Sequence, residues 1–216
     1  MDLDEIRSSL FEVFYLKLKE AVFMDELGDA YEQFAGMDIL TMGVMDRIME
    51  GQEPAWCDDV STVDTTESFR DLVIPAWNST VDWLTDNYGP DLEAWVWGDL
   101  HQLSLTHPLG SVDALNKIFR LERGPYRAGG SSHTVCPYEY SSLLPFKVTD
   151  GASQRHVYNL RYPDDSRIVI PSGISGIPAS DFFCNQTEMY MANRYIGESF
   201  TREKVERNAL YHSIFR

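Results

Sequence analysis

Apolar residues recur every three or four positions through the first hundred residues, which predicts amphipathic helices. In the first segment charged residues such as Asp4 and Lys17 separate the apolar positions, so one face is predicted to be buried. Residues 37–49 repeat this pattern with methionines, which usually fill space in a core. The apolar positions are Leu3, Ile6, Leu10, Phe14, Leu18 and Ala21 in the first segment, and Ile39, Leu40, Val44, Met45 and Ile48 in the second.

A third helix is predicted between Asp64 and the stop signal at 87–90. Asp64 precedes Glu67 by three residues, a spacing typical of a helix start. The Asn-Tyr-Gly-Pro sequence at 87–90 is typical of a helix end. Pro75 lies inside this segment and is expected to kink or break the helix, because proline lacks the amide N–H. The apolar face consists of Phe69, Leu72, Val73, Ala76, Trp83 and Leu84.

The second half of the chain has shorter apolar runs and more glycine and proline. Residues 156–162 alternate apolar and polar side chains, 163–166 form a turn sequence, and 167–171 form a second run, so 156–171 is predicted to be a β-hairpin. Another strand is predicted at Leu143–Thr149. A last helix is predicted to start near Thr201 and to include Val205 and Leu210. We therefore predict an α+β fold with the helices first, and residues 1–216 as a single domain.

Charge is distributed unevenly along the chain. The net charge is -16, and residues 1–100 hold 23 acidic and five basic side chains, whereas residues 101–216 hold 11 and 13. An acidic chain repels phosphate backbones, which excludes nucleic acid as an expected partner. The acidic half is interpreted as a solvated helical surface, and an electrostatic docking face for a basic partner remains the alternative.

The sequence contains neither a membrane span nor an export signal. No apolar run approaches the roughly 20 residues that cross a bilayer. The chain starts with acidic residues instead of a basic segment followed by an apolar one, so we expect the chain as given to be cytoplasmic. Cys57, Cys136 and Cys184 are widely spaced and include no CxxC pair, so they are interpreted as plain, mostly buried thiols.

The residues alone identify no catalytic, cofactor-binding or metal-binding site. The common nucleophile-elbow, phosphate-loop, dinucleotide and zinc-helix motifs are absent. Ser131, Ser132 and His133 suggest a nucleophile and a base, but neighbours in sequence seldom face each other, so a tight turn leading into a strand is favoured. His101 and His107 are interpreted as structural. A metal enzyme built on His101, His107 and His133 is disfavoured. The acid pairs Asp58–Asp59 and Asp164–Asp165 are interpreted as solvated turn residues.

Four ordered segments resemble the penicillin acylase (penicillin amidase) family. The first reads Trp-Val-Trp-Gly-Asp-Leu-His at 95–101 and continues with His-Pro-Leu-Gly at 107–110. The second reads Arg-Gly-Pro-Tyr at 123–126 and continues with Gly-Gly-Ser at 129–131 and Thr-Val at 134–135. The third covers 171–180 and Gln186, and the fourth covers 195–203. The resemblance is specific from about residue 54 onward and identifies the chain with the C-terminal part of the family's β chain.

The resemblance implies an αββα sandwich, of which this chain forms a part, and hydrolysis of linear amides such as β-lactam antibiotics or acyl-homoserine lactones. In this family a precursor cuts itself, and the new N-terminal serine attacks the amide while its own α-amino group acts as base. The nucleophile, the oxyanion asparagine and the calcium ligands are expected upstream of the matched portion. No residue of this chain is therefore assigned a catalytic role. Asn159 is given none either, because it lacks the charge of the carboxylate that some relatives carry near the catalytic groups at the matching strand position.

Two hypotheses follow from the resemblance. In the first, the chain completes an amidase whose nucleophile lies on an upstream segment or another subunit, and the chain alone is inactive. In the second, the chain is a catalytically silent stand-alone domain with a binding or oligomerisation role, and other copies of the chain are its partners. Two departures from the family pattern are Asn185–Gln186, where the family has Asp-Gln, and the turn 172–176.

Overall fold

The computed structural model describes residues 2–35, 38–132, 134–209 and 213. The longer helices come first, and short strands alternate with short helices in the second half, which confirms a mixed α+β chain. Contacts between Cα atoms divide the chain into two compact units, unit 1 (Met1–Ser104 with Gly124–Gly151) and unit 2 (Leu105–Arg123 with Ala152–Arg216). The single-domain description of residues 1–216 stays a prediction. The helices are α1 Ile6–Leu27, α2 Tyr31–Ala35, α3 Asp38–Met49, α4 Phe69–Tyr88, α5 Trp97–Leu100, α6 Asp113–Phe119, α7 Thr187–Met191 and α8 Arg202–Asn208.

The strands form small separate sheets. Strand β1 neighbours β2, β3 pairs antiparallel with β4, and β5, β6 and β7 form an antiparallel sheet in that order. Among the described helices, none is long and apolar enough to cross a membrane. The strands are β1 Gln102–Leu105, β2 Arg123–Arg127, β3 Glu139–Tyr140, β4 Val148–Asp150, β5 Arg155–Val157, β6 Arg167–Val169 and β7 Ile196–Gly197.

Helix α1 is confirmed, and its predicted apolar face is only part of its buried surface. Leu18 is buried, and the other five predicted positions, Leu3, Ile6, Leu10, Phe14 and Ala21, are partly buried. The helix packs against α4, α5 and the short 3-10 turn at Pro54–Cys57, so more than one of its faces is covered. As a result its buried set includes four polar side chains. The buried residues are Ser8, Ser9, Glu12, Val13, Leu16, Leu18, Lys19, Val22 and Phe23.

Helix α4 begins at Phe69, so the predicted start at Asp64 is wrong. The capping residue is Ser68, whose backbone N–H donates to Asp71 Oδ2 at 2.9 Å. Glu67 instead belongs to the preceding loop, where its carboxylate accepts the N–H of Asp59 at 3.1 Å. The helix continues through Pro75 without a break, and Gly89 ends it with a φ of 85°.

Two apolar clusters form the core of unit 1, and α1 contributes to both. In α3, Met45 and Ile48 are buried, as expected of residues that fill space in a core, whereas Leu40 and Met49 are about half exposed, so the buried face predicted for this segment is only partly correct. The three cysteines are free thiols, and Cys57 is buried in the second cluster whereas Cys136 and Cys184 are partly buried, in agreement with the interpretation as plain, mostly buried thiols. The first cluster contains Val13, Leu16, Leu84, Trp95, Trp97, Leu100, Tyr140 and Phe146, and the second contains Leu18, Val22, Phe23, Met45, Ile48, Cys57 and Ala76.

The strand predicted at Leu143–Thr149 is wrong for most of its length. Strand β4 begins only at Val148. The preceding residues turn, because Leu144 N–H donates to the carbonyl of Ser141 at 3.0 Å and Leu143 N–H donates to the Ser141 hydroxyl at 3.2 Å. A side chain that bonds to the local backbone thus replaces strand pairing here.

The hairpin of unit 2 is confirmed, with a shorter first strand than predicted. Strands β5 and β6 pair with Arg155 opposite Val169. Strand β5 ends at Val157 because the side chain of Asn159 accepts the N–H groups of Arg161 and Tyr162 at 3.1 and 3.0 Å and turns the chain. Asn159 therefore has a local structural contact, and Leu160 is left 93% exposed.

Helix α8 begins after Thr201, as predicted, and Asp164 anchors its start. The carboxylate of Asp164 accepts the Thr201 hydroxyl at 2.6 Å, the Thr201 N–H at 2.9 Å and the Phe200 N–H at 2.8 Å. These hydrogen bonds lower the pKa of Asp164 to about 2, and the bond from the Thr201 hydroxyl has the largest effect. The turn residue Asp164 thus joins two parts of unit 2, and Leu210 lies outside the described residues.

Candidate functional site

The tryptophan–histidine motif at 95–101 lies in the core of unit 1. Trp97 is fully buried, and its Nε1 donates to the carbonyl of Gly130 at 2.8 Å. The His101 ring stacks on Trp97 with 4.6 Å between ring centroids. These contacts join residues 95–101 of the first motif block to Gly130 of the second, so these parts of the two blocks support the fold of unit 1.

His101 is a buried, neutral histidine. Its Nδ1 lies 2.8 Å from the carbonyl of Phe146, which requires a proton on Nδ1. Burial lowers the pKa of His101 to about 4, so the ring carries no charge near neutral pH. His107 Nδ1 accepts the N–H of Leu109 at 3.1 Å, and His133 lies outside the described residues. Within the described ranges, no group of three or more His, Cys, Asp or Glu side chains could hold a metal ion.

Arg127 connects strand β2 to α5 and to the chain before α1. Its guanidinium pairs with Asp99 at 2.9 Å and with Asp4 at 3.0 Å. Gly98 lies against this pair, because a Cβ there would be only 3.0 Å from the carbonyl of Leu3 and from Arg127 Nε. Close packing therefore explains why the motif has glycine at position 98.

The buried polar side chains of α1 are the least expected feature of unit 1. Ser8, Ser9, Glu12 and Lys19 form what we call the α1 polar stripe, and each is at most 4% exposed. Glu12 Oε2 accepts the Tyr140 hydroxyl at 2.5 Å, and Lys19 Nζ donates to the Ser142 hydroxyl at 3.1 Å. Glu12 Oε1 and Ser9 Oγ have no hydrogen-bond partner in the described part of the chain. Because buried polar atoms are normally paired, the stripe is our candidate functional site.

A cavity of about 510 Å³ adjoins the stripe, and we call it the Glu12 cavity. Ser131 lines it and is fully buried. Ser131 and Thr134 form a tight turn, with the Ser131 N–H donating to Thr134 Oγ1 at 2.9 Å, so the described part of this cluster has the turn predicted for it. The turn brings hydroxyl groups to the same cavity as Glu12. The lining residues are Glu5, Arg7, Ser8, Phe11, Glu12, Ser131 and Thr134.

Sequence reasoning missed Glu12 and Lys19. Lys19 lies between the apolar positions of the predicted amphipathic helix, Glu12 is not singled out by any motif, and charged positions of such a helix usually face water. The available signal is their spacing of seven residues, which places them on one helix face together with Ser8. That spacing alone does not separate a buried polar stripe from an exposed one.

A second, mostly apolar cavity of about 800 Å³ lies between α3, α4 and the loop that joins them. Cys57 lines it, and burial raises the pKa of this thiol, which keeps it protonated and disfavours a nucleophilic role. Asp58 and Arg70 are among its polar lining residues. The Asp58 carboxylate accepts the N–H of Glu67 at 3.1 Å, which agrees with its interpretation as a turn residue.

Glu26, near the end of α1, makes the stability of unit 1 depend on pH. Burial, together with the neighbouring Asp25 carboxylate, raises the pKa of Glu26 from 4.5 to about 7. The folded pKa exceeds the unfolded one, so the stabilisation is complete below pH 4.5 and is lost as the pH rises to about 7. We expect Glu26→Gln to remove this pH dependence and to raise stability at pH 8 by about 1 kcal/mol after a discount for solvent screening. Thermal unfolding of the wild type and of Glu26→Gln at pH 5 and pH 8 measures this difference in stability.

The exposed Glu32→Gln is the matched control for Glu26→Gln, because it makes the same chemical change on α2. It should leave the difference between pH 5 and pH 8 as in the wild type. If the difference in stability between pH 5 and pH 8 changed equally in the two variants, the role assigned to Glu26 would be contradicted.

Comparisons with known proteins point to a single family. The penicillin amidase family model matches residues 1–207. The acyl-homoserine lactone acylase QuiP of Pseudomonas fluorescens (strain Pf-5) is 26% identical over 93% of this chain and 24% of its own length. QuiP of Pseudomonas putida is 25% identical over 88% of this chain and 23% of its own length. QuiP of Pseudomonas aeruginosa is 24% identical over 93% of this chain and 25% of its own length. The chain thus spans about a quarter of the length of these relatives.

Proposed function

Because the chain belongs to the penicillin amidase family, we propose that it forms the C-terminal part of an acylase that hydrolyses linear amide C–N bonds. The proposed substrates are N-acyl amides, and acyl-homoserine lactones are the first class to test, since the relatives are named for that activity. In this proposal the chain contributes part of an αββα sandwich. The nucleophilic serine, the oxyanion donors and a calcium site lie on the remaining polypeptide.

The bonding of the histidines supports a nucleophile outside this chain. His101 bonds to the carbonyl of Phe146, His107 accepts from the N–H of Leu109, and His156 bonds to Glu198. A serine or cysteine nucleophile needs a base within hydrogen-bond reach. His107 and His156 are held by a backbone group and by a carboxylate, and His101 is held through Nδ1 only. The His101 Nε2 atom has no partner in the described part of the chain, but burial lowers the pKa of this ring to about 4, which makes it a weak base.

Exposed apolar side chains support further polypeptide packing on this chain. Leu160 and Ile174 of unit 2 are 93% and 79% exposed, and Val135 of unit 1 is fully exposed. Scattered apolar residues on a surface are ordinary, but a subunit that completes a larger core must leave such groups uncovered when it stands alone. The proposal assigns these positions to contacts with the rest of the acylase.

The proposed reaction follows from the family resemblance. The serine hydroxyl adds to the amide carbonyl while its α-amino group takes the proton, the C–N bond breaks, and the amine leaves with that proton. Water then hydrolyses the acyl-serine ester and releases the carboxylic acid. The described residues of this chain enter only by supporting the fold around that site.

Release of homoserine lactone from a long-chain acyl-homoserine lactone tests the proposal. We expect no turnover by residues 1–216 alone and turnover when the upstream coding region is co-expressed. A serine-to-alanine change at the new N-terminus of the upstream β-chain segment should abolish it. Turnover by the lone chain would overturn the proposal, and inactivity of both samples would favour the silent stand-alone domain.

A further inference from the structure

We propose that the Glu12 cavity is a binding site for an organic cation, whose ammonium or guanidinium N–H groups donate to the Glu12 carboxyl group. The site consists of unit 1 residues only, and the proposal does not depend on the acylase activity. It is argued from three features of the cavity: an unpaired buried acceptor, the nature of its walls, and its charge.

The unpaired acceptor is Glu12 Oε1. Glu12 has no exposed surface, and its other oxygen, Oε2, accepts the Tyr140 hydroxyl. Oε1 is buried and has no hydrogen-bond partner in the described part of the chain. A buried acceptor without a donor costs about 1–3 kcal/mol. The group that complements this atom is therefore an N–H or O–H donor.

The walls of the cavity favour a small amphipathic ligand. Ser8 and Ser131 bring hydroxyl groups, and Phe11 brings an aromatic ring to the same space. A ring face attracts a cation as well as apolar carbon. The volume of about 510 Å³ is within the usual range for small-molecule sites.

Charge selects a cation over an anion. Glu5 and Glu12 both line the cavity, and an anion would face two carboxyl groups. Arg7 also lines it, but its side chain is 89% exposed and pairs with Glu5, so it belongs to the rim. A metal ion is a poorer match, because the described residues provide no cluster of three acidic, histidine or cysteine ligands.

Calorimetric titration of residues 1–216 with ethylguanidinium tests the proposal, with ethylurea as the neutral molecule of the same shape. We expect ethylguanidinium to bind at millimolar concentration and ethylurea to bind about tenfold more weakly or not at all. Glu12→Gln keeps an acceptor for Tyr140 and should weaken the binding of ethylguanidinium about tenfold. The exposed Glu32→Gln should bind as the wild type does.

A second variant keeps the test decisive if Glu12→Gln folds poorly. Phe11 is 55% exposed, so Phe11→Arg should fold and place a guanidinium group at the cavity that competes with the probe. Equal binding of ethylguanidinium and ethylurea, no binding of ethylguanidinium, or unchanged binding by both variants overturns the proposal.

The same titration of the longer acylase identifies the source of the cation. Binding to both proteins assigns the site to a free amine. Binding to residues 1–216 but not to the longer protein assigns it to a basic side chain of the remaining polypeptide. Acyl-homoserine lactone turnover is measured separately, so failure of the cation site and failure of the acylase proposal are distinguishable.

Discussion

Trp97→Ala is expected to lower the free energy of unfolding by about 3–5 kcal/mol, the usual cost of removing a large aromatic side chain from a core. Trp97 is fully buried in the first apolar cluster, where it contacts the rings of His101, Tyr140 and Phe146. The change also removes the donor to the carbonyl of Gly130. Urea unfolding followed by circular dichroism measures the effect.

Two further variants separate the causes of the Trp97 effect. Trp97→Phe keeps an aromatic ring and removes the N–H group, so we expect a smaller loss of about 1–3 kcal/mol. Trp77 is 43% exposed, and Trp77→Ala should cost under about 1 kcal/mol. Equal stability of Trp97→Ala and Trp77→Ala would show that the Trp97 cluster is not the core described above.

Gly130→Ala is expected to lower the free energy of unfolding by about 2–5 kcal/mol, the second large effect. Gly130 has a φ of 76°, a conformation that side chains rarely adopt. An added Cβ would lie 2.2 Å from the carbonyl oxygen of Cys136, which is backbone and cannot rotate away. The turn that carries Ser131 into the Glu12 cavity would have to shift, and the midpoint of urea unfolding should fall.

Gly43→Ala is the matched control for the Gly130 change. Gly43 lies within α3, its φ is not positive, and a Cβ there would have no neighbour within 4 Å. Alanine is the better helix former, so this variant should gain about 0.5–1 kcal/mol. The free energy of unfolding should fall in Gly130→Ala and rise in Gly43→Ala. A loss of similar size in both variants would contradict the explanation by the positive φ and the Cβ contact at Gly130.

The candidate site was less predictable than the fold. The turn at Ser131 was favoured over a catalytic interpretation of Ser131, Ser132 and His133, whereas Glu12 was not singled out at all. Tyr140, which pairs with Glu12, lies 128 residues away, and no local pattern connects the two positions. A polar residue in an amphipathic helix is assigned to the solvent side by default, which fails when a second surface packs on that side.

The sequence by itself determined the local elements. Periodicity placed α1, α4 and the hairpin, Gly89 marked the end of α4, Thr201 marked the start of α8, and the ordered motifs identified the family. These features depend on residues a few positions apart, where helix caps and turn residues act directly on the backbone. The predicted start of α4 is wrong because two acid-containing pairs have the same three-residue spacing: Ser68 and Asp71 cap the helix, whereas Asp64 and Glu67 lie in the loop before it.

Only the tertiary structure decided which side chains are buried and where the strands stop. Covering α1 on more than one face turned Ser8, Ser9, Glu12 and Lys19 into interior residues. The motif histidine His101 became a neutral core residue because Trp97 and Phe146 enclose it. Burial is the sum of contacts between segments far apart in the chain, and its cost for a polar group depends on partners that those segments bring.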